Sequence, residues 1–344
     1  MNKVEQKKLK KILLVRLRLI GDVIMTTPAL RILKETFPNS FISYVVETEQ
    51  KEIIEGNPSI DKLIVLKRKS SLIEFLKFIK SLRKERYDVA IDFHGGPKAS
   101  LIAFFSRADL KIGYNIPYRK LLYDIHVRRK TDKPIHSIES QINLLKPMGI
   151  DIKSIPPVYI PDANSEEKIR IEKILNDNYL KNYKRVLLHV SAGNEFRDWG
   201  IDNIKKFIKY LSQEESMKVI LVGSEKDLDR VDYLKNEKNV YSLVGKLNLK
   251  ELREIIIKSD VFVGPDSGPM HLASTTRTPI IALFGPTIPE IFGPWSENAF
   301  VIQKNFDCRP CKQKKCEKEF ICIRSISPEE VFEKVKNTLN INGN

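Results

Sequence analysis

The stretch Arg16-Leu-Arg-Leu-Ile-Gly-Asp22 decides the fold of the first half of this chain. It follows Ile12-Leu-Leu-Val15, an apolar run typical of a buried parallel strand, and it leads into residues 22–36, whose spacing predicts a helix. The second half repeats this strand-to-helix junction at Gly264-Pro-Asp-Ser-Gly-Pro-Met-His271. Ligands of open α/β sheets bind at the carboxyl ends of strands. The two junctions therefore predict two α/β domains, each with a ligand site.

The order of the apolar and helical runs indicates where the domains end. Strand-like and helix-like runs alternate on both sides of residues 156–165, which are rich in proline and turn-forming residues. A chain of 344 residues is also long enough for two domains of ordinary size. We expect a Rossmann-like domain over 1–160, a second one over 161–326 and a C-terminal helix over 327–344.

The composition, with 42% hydrophobic and 30% charged residues, is that of a globular protein. No apolar run approaches the roughly 20 residues that cross a bilayer. The lysine-rich segment before Ile12 could be taken for the start of a signal peptide, but no cleavage site of small residues follows it. These observations predict a cytoplasmic protein.

The net charge of +15, from 59 Lys+Arg against 44 Asp+Glu, also needs an explanation. Part of the positive charge is concentrated in the first half, at 67–69, 80–86, 118–120 and 128–130. Such a surface favours nucleic acid, an anionic membrane or a polyanionic small molecule as a partner, while solvated helix faces explain it equally well.

Each junction carries side chains suited to chemistry. Gly21 allows a ligand close to the backbone, and Asp22 is a candidate general base; the alternative is that this carboxylate only stabilises the helix N-terminus. At the second junction, Asp266, Ser267 and His271 bring a carboxylate, a hydroxyl and an imidazole around one point, which suits a sugar pyrophosphate. The alternative there is that Asp266 caps the helix and His271 packs in the core.

Two further strand ends are weaker candidates. The run from Ser191 to Arg197 combines small residues, a hydroxyl and a cation that together can hold a phosphate, although a surface arginine is the commoner meaning. His94, in the turn Asp92-Phe-His-Gly-Gly96, is a candidate for binding a second substrate or a structural histidine.

The four cysteines of the chain lie close together, at Cys308, Cys311, Cys316 and Cys322. Their number and type fit a tetrathiolate zinc site of structural purpose, and four reduced cysteines without a metal fit equally well. Disulfides are not expected in a cytoplasmic protein.

Taken together, these motifs resemble glycosyltransferase family 9, the lipopolysaccharide heptosyltransferases. The resemblance rests on Gly-Asp-Val-x-x-Thr-Thr-Pro-Ala-Leu at 21–30, Gly-Pro-Asp-Ser-Gly-Pro-x-His at 264–271, Leu-Phe-Gly-Pro-Thr at 283–287, Gly-Pro-Trp at 293–295 and the Cys-x-Pro-Cys tail from Cys308. It implies a GT-B fold, in which two Rossmann-like, doubly wound domains face a central cleft. The acceptor would bind to the N-terminal domain and the nucleotide sugar to the C-terminal one.

The resemblance also implies residue roles in an inverting, metal-independent transfer that requires no cofactor. Asp22 matches the proposed catalytic base, and Gly21 and His94 would lie on the acceptor side. Asp227 matches the carboxylate that binds the ribose of the donor, and Glu225 is the alternative for this role. The donor-binding positions are Ser191, Ala192, Arg197, Asp227, Leu247, Asp266, Ser267, Gly268 and His271.

The partners implied are ADP-heptose as donor and a lipid A–Kdo/heptose core as acceptor. The anionic surface of the inner membrane is a further partner, with the protein peripheral on the cytoplasmic face. One alternative is an enzyme of the same family with another donor or acceptor. Another is a basic, zinc-bearing nucleic-acid-binding protein, which leaves the two ligand junctions unexplained, so no specific nucleic acid is expected.

Overall fold

The computed structural model describes residues 9–129, 133–234 and 237–340. The chain divides into two compact units, Met1–Pro161 and Asp162–Asn344. Several sequence predictions fall outside the described residues: the lysines at 1–8, Lys130 of the basic segment 128–130, and the last four residues of the helix expected over 327–344.

The N-terminal unit is built around a parallel sheet with the strand order β3-β2-β1-β4-β5-β6. Its strands are β1 (Lys11–Val15), β2 (Phe41–Glu47), β3 (Lys62–Leu66), β4 (Val89–Asp92), β5 (Leu110–Tyr114) and β6 (Ile125–Val127). Its helices are α1 (Ile20–Ile24), α2 (Thr27–Thr36), α3 (Lys51–Ile54), α4 (Leu72–Glu85), α5 (Pro97–Phe105) and α6 (Ser137–Ile142).

The C-terminal unit repeats this plan with the strand order β12-β11-β10-β7-β8-β9. Its strands are β7 (Lys184–His189), β8 (Met217–Val222), β9 (Val240–Ser242), β10 (Val261–Pro265), β11 (Ile280–Phe284) and β12 (Ala299–Gln303). Its helices are α7 (Ser165–Asp177), α8 (Ile201–Leu211), α9 (Leu228–Val231), α10 (Leu249–Ile257), α11 (Gly268–Ala273), α12 (Pro289–Phe292), α13 (Ile321–Arg324) and α14 (Pro328–Thr338).

The strand sequences explain why both sheets are central and covered on both faces. In β1, the residues Ile12-Leu-Leu-Val15 are all fully buried, as expected for a continuous apolar run in a parallel sheet. In each unit the first strand pairs with the second and the fourth, β1 with β2 and β4 and β7 with β8 and β10. This is the Rossmann strand order, so the predicted fold of two doubly wound α/β units is confirmed.

The strand order also marks where ligands bind. In a doubly wound sheet the connections leave the first and fourth strands in opposite directions, which opens a crevice at their carboxyl ends. The crevice of the N-terminal unit lies at the ends of β1 and β4. That of the C-terminal unit lies at the ends of β7 and β10.

The prediction of one continuous helix over 22–36 is wrong, because this segment forms two helices, α1 and α2. Pro28 has no N–H with which to continue the helical hydrogen bonds to the Ile24 carbonyl. The hydroxyl of Thr27 donates to that carbonyl instead, at 2.7 Å. As a result, Asp22 lies on a separate short helix, α1, that follows the end of β1.

Trp199 is a core residue of the C-terminal unit. It is buried against Phe207, and its indole N–H donates to the carbonyl of Ile326 at 2.9 Å. Among the residues that the structure describes, no helix is long and apolar enough to cross a membrane.

Candidate active site

Asp22 lies at the crevice of the N-terminal unit, in the first turn of α1. Its Oδ1 accepts from the Arg16 guanidinium at 2.6 Å, and its side chain is 23% exposed, so it remains accessible. Arg16 itself is buried, and it also donates to the carbonyl of Phe93, directly after β4. One buried arginine therefore joins the ends of β1 and β4 and fixes the orientation of the Asp22 carboxylate.

His94 follows β4 and lies in the same charged cluster. Burial and the positive charge of Arg16, Arg18 and Arg129 lower the pKa of His94 to about 4, although Asp22 acts in the opposite direction. Its imidazole is therefore neutral at pH 7. A Cβ on Gly96 would lie 2.5 Å from Nε2 of His94, so the ring can occupy its position only because residue 96 has no side chain.

The turn that carries His94 is held by the buried carboxylate of Asp92. Oδ1 of Asp92 accepts from the backbone N–H groups of His94 and Gly95, both at 2.8 Å. Oδ2 accepts from the hydroxyls of Tyr123 at 2.6 Å and Ser100 at 3.2 Å. Burial raises the pKa of Asp92 and these four donors lower it. The network fixes the His94 turn beside Asp22.

Asp266 is the centre of the crevice in the C-terminal unit. It is buried at the end of β10, where its Oδ2 accepts from the Thr287 hydroxyl at 2.7 Å and forms an ion pair with Arg197 at 3.3 Å. The Arg197 side chain is 29% exposed, against 3% for that of Asp266. The carboxylate thus anchors a cation whose outer surface is open to an anionic ligand.

Ser267 and His271 lie directly beside this pair. Ser267 occupies the N-cap position of α11, but its hydroxyl makes no capping hydrogen bond and instead lies 3.2 Å from Nδ1 of His189, the last residue of β7. Burial lowers the pKa of His189 to about 4, so this ring is neutral. Gly268 begins α11, and His271 is buried one turn further along. The contact between His189 and Ser267 joins the carboxyl ends of β7 and β10 at the base of the crevice.

The small residues after β7 lie at the same edge. Ser191 is buried, Ala192 is partly exposed, and a Cβ on Gly193 would meet no atom within 4 Å. The space above this loop is therefore open, and Arg197 follows in the same connection.

The two carboxylates after β8 differ in their environments. Asp227 is buried, and its Oδ2 accepts from both the backbone N–H and the hydroxyl of Ser224 at 2.8 Å. Glu225 is exposed, and its backbone packs closely against Gly245. Leu247, in the connection after β9, is partly buried. The Asp227 carboxylate thus binds Ser224 of its own loop, whereas the Glu225 carboxylate is accessible to a ligand.

The cysteine-containing segment 308–322 contacts this site from the side. Oε1 of Gln313 accepts from Nε of Arg197 at 3.1 Å and from Nδ2 of Asn194 at 3.0 Å. Arg309 donates to the carbonyl of Thr287 at 3.0 Å, and Thr287 in turn holds Asp266. The segment therefore supports both members of the Arg197–Asp266 pair.

The cysteines of this segment are free. Burial and the neighbouring Cys308, Cys311 and Cys316 raise the pKa of the Cys322 thiol. Even so, no three His, Cys, Asp or Glu side chains in the described ranges are arranged to hold a metal ion. Cys322 is buried in α13 whereas Cys308 is exposed. Zinc and four reduced cysteines both stay predictions from the sequence, and this arrangement of the side chains favours the second.

The sequence reasoning missed five residues that hold these sites together: Arg16, Asp92, His189, Thr287 and Gln313. The first three lie at strand ends of the predicted crevices, so their positions in the pattern could have identified them. Nothing in the local sequence links Thr287 or Gln313 to Asp266 and Arg197, because those contacts join distant segments.

The family model of glycosyltransferase family 9 (heptosyltransferase) matches residues 75–321. The chain is 28% identical over 298 residues to lipopolysaccharide heptosyltransferase 3 of Escherichia coli strain K12, covering 82% of this chain and 84% of that protein.

Two solved structures share the fold. The family 9 glycosyltransferase of Veillonella parvula superposes with a TM-score of 0.88 at 24% identity, over 97% of this chain and 98% of that one. E. coli ADP-heptose LPS heptosyltransferase II superposes with a TM-score of 0.77 at 24% identity, over 96% and 99%. The family model covers well over half of the chain, so this protein belongs to glycosyltransferase family 9 and is a glycosyltransferase.

Proposed function

We propose that this chain transfers a heptose from ADP-heptose to the inner core of lipopolysaccharide, with inversion at the anomeric carbon. The observation that carries the proposal is the pair of crevices, one with an accessible carboxylate fixed by Arg16, the other with an outward-facing Arg197 anchored by Asp266. A base and an anion site are what a direct transfer from a nucleotide sugar requires. The names of the related E. coli proteins, which specify lipopolysaccharide and ADP-heptose, support the choice of substrates.

In the proposed reaction, Asp22 accepts the proton of an acceptor hydroxyl. The hydroxyl oxygen forms a bond to the anomeric carbon as the bond from that carbon to the phosphate oxygen breaks, and ADP leaves with the electron pair. Neutral His94 and the arginines around Asp22 make this crevice suited to an acceptor with acidic groups, such as a lipid A–Kdo/heptose core. Arg197 stabilises the negative charge on the departing diphosphate.

The remaining donor contacts are assigned by position at the second crevice. Ser191 and the backbone at Ala192 would meet the phosphates beside Arg197, and Leu247 the adenine. The sugar would lie near Asp266, Ser267, Gly268 and His271. For the ribose, exposure favours Glu225 over Asp227, because Asp227 is buried and already holds Ser224.

An enzyme whose acceptor is linked to a lipid acts at a membrane surface. We propose that the protein is peripheral on the cytoplasmic face of the inner membrane. The positively charged surface of the N-terminal unit supports this placement, because anionic lipids attract clustered lysines and arginines.

Calorimetric titration with ADP, ADP-heptose, UDP and UDP-glucose tests the donor assignment. The proposal predicts selective binding of the two adenine ligands and weaker binding to Arg197→Met, with an Arg277→Met variant as the control. A preference for uridine ligands would leave the family unchanged and overturn the proposed donor.

A further inference from the structure

Helix α4 exposes three large apolar side chains to solvent. Leu72 is 72% exposed, Ile73 67% and Leu76 58%. Ile79 and Leu82, further along the same helix and on the face adjacent to these side chains, are buried. The exposed residues are therefore additional to those that hold α4 against the sheet, and the core does not explain them.

These three side chains form one stripe. At 3.6 residues per turn they fall within roughly 100° of the helix circumference, and Lys80, one turn beyond Leu76, continues the stripe. The capping box of Ser71 and Glu74 fixes the start of the helix, with the Ser71 hydroxyl accepting from the Glu74 N–H at 3.2 Å. The apolar stripe is thus presented on a well-defined first turn.

The surroundings of the stripe are strongly basic. Residues 67–86 contain eight lysines and arginines against two glutamates, and all eight basic residues are exposed. One of the glutamates, Glu85, is already paired with Lys11 and Lys62. An apolar stripe within a positively charged collar is complementary to an anionic bilayer, whose headgroups attract the cations while the acyl boundary accepts the apolar side chains.

The stripe also lies at a particular edge of the unit. α4 begins after the carboxyl end of β3, the same edge as Asp22 and His94. Lys98, which follows the His94 turn, donates to the carbonyls of Lys67 and Arg68, both at 3.1 Å, and so ties the basic loop to that turn.

Other exposed apolar residues share this edge. Among the described residues of the N-terminal unit, every large apolar side chain that is more than half exposed follows the carboxyl end of a strand. Besides the stripe these are Leu19 after β1, and Tyr118 and Leu121 after β5.

We infer that Leu72, Ile73 and Leu76, with the basic collar of residues 67–86, dock this edge of the N-terminal unit onto an anionic lipid bilayer. The inference rests on the proposed function in one respect, since a lipid-linked acceptor gives the contact its purpose. Docking at this edge would place the membrane surface next to the crevice that holds Asp22.

Co-sedimentation with vesicles tests the inference without any substrate. The probes are vesicles of phosphatidylglycerol with phosphatidylcholine, compared with vesicles of phosphatidylcholine alone. The test variant is Leu72→Gln/Ile73→Gln/Leu76→Gln, because glutamine preserves helix propensity and charge. The matched control is Ile169→Gln/Tyr179→Gln/Ile257→Gln, which removes three exposed apolar side chains from the C-terminal unit.

The full-length protein and the control should bind the anionic vesicles, and the test variant should bind at least about tenfold more weakly. All three should bind phosphatidylcholine weakly. Equal vesicle binding by the test variant, or no binding by the unaltered protein, overturns the inference. A dimer in sedimentation that only the test variant loses also overturns it, because the stripe would then be an interface between copies of this chain.

The same proteins separate this inference from the proposed function. The test variant should keep the kcat of the unaltered protein with a deacylated, soluble core acceptor. Vesicle binding that depends on the stripe, in a protein that does not bind ADP, would support the docking surface and reject the proposed donor.

Discussion

Replacing Arg16 with methionine should disable the first crevice while leaving the second unchanged. The substitution keeps an unbranched, apolar stem at this buried position but removes the ion pair to Asp22 and the hydrogen bond to the Phe93 carbonyl. Leaving the buried Phe93 carbonyl without a partner costs about 1–3 kcal/mol. Losing the ion pair with the partly exposed Asp22 carboxylate costs about 1 kcal/mol more. We expect a loss of about 2–4 kcal/mol in the free energy of unfolding.

The catalytic effect should exceed what this loss of stability explains. Without Arg16 the Asp22 carboxylate has no fixed orientation, and a misplacement of about 1 Å can lower a rate about 100-fold. We expect kcat to fall by about two orders of magnitude, with the affinity for ADP unchanged because Arg16 does not lie in the C-terminal unit. Steady-state kinetics, ADP titration and urea unfolding measure the three quantities.

Two variants serve as references for this prediction. Arg31→Met removes an exposed pair with Glu35, 2.7 Å apart, and should change neither stability nor kcat measurably. Arg16→Lys should recover part of kcat, since one ammonium can replace one of the two contacts. A folded Arg16→Met enzyme with normal kcat would refute the reasoning that Arg16 positions the base.

Three other predictions concern the remaining contacts. Gln313→Ala should raise the Kd for ADP-heptose by about five- to thirtyfold, because Arg197 loses one charge-assisted hydrogen bond. Lys314→Ala, at the exposed neighbouring position, should leave this Kd unchanged. Equal titration curves for the two variants would contradict the prediction. The pKa of His189 is about 4 in the folded chain and about 6.5 in the unfolded chain, so only the unfolded chain takes up this proton as the pH falls from 6.5 to 4. Over this pH range the free energy of unfolding should therefore drop by up to about 3 kcal/mol. Urea unfolding of His189→Asn should show a smaller drop. Gly96→Ala should displace the His94 ring and raise the acceptor KM without changing ADP binding, and an unchanged acceptor KM would show that the ring position does not matter.

The fold could be predicted from the sequence because its determinants are local. Apolar runs such as Ile12-Leu-Leu-Val15 and the turn-rich linker at 156–165 indicate strands and a domain division without any knowledge of distant contacts. The division of the helix predicted over 22–36 also has a local cause, because Pro28 has no N–H to donate within the helix.

The candidate site was predictable in position but not in its internal contacts. The junctions at Asp22 and Asp266 follow from the rule that ligands bind at strand ends, and the structure places both residues at crevices. The partners of these carboxylates depend on side-chain directions and on long-range packing. Thr287 and Gln313, for example, reach Asp266 and Arg197 from segments far along the chain.

The cysteines illustrate a different difficulty. Spacing alone supported both zinc and four free thiols, because metal binding depends on where the side chains point. In the structure the exposed Cys308 and the buried Cys322 lie in different environments, and the segment between them supports the Arg197–Asp266 pair through Gln313 and Arg309.

The most direct test of the account is the kcat of Asp22→Asn with ADP-heptose and a lipopolysaccharide core acceptor, measured together with ADP affinity. Asparagine retains the shape of the side chain and its place beside Arg16 but cannot accept the proton of the acceptor hydroxyl. We expect kcat to fall by about 100- to 10,000-fold, with unchanged ADP affinity. A near-normal kcat would contradict the assignment of Asp22 as the base on which the proposed mechanism depends.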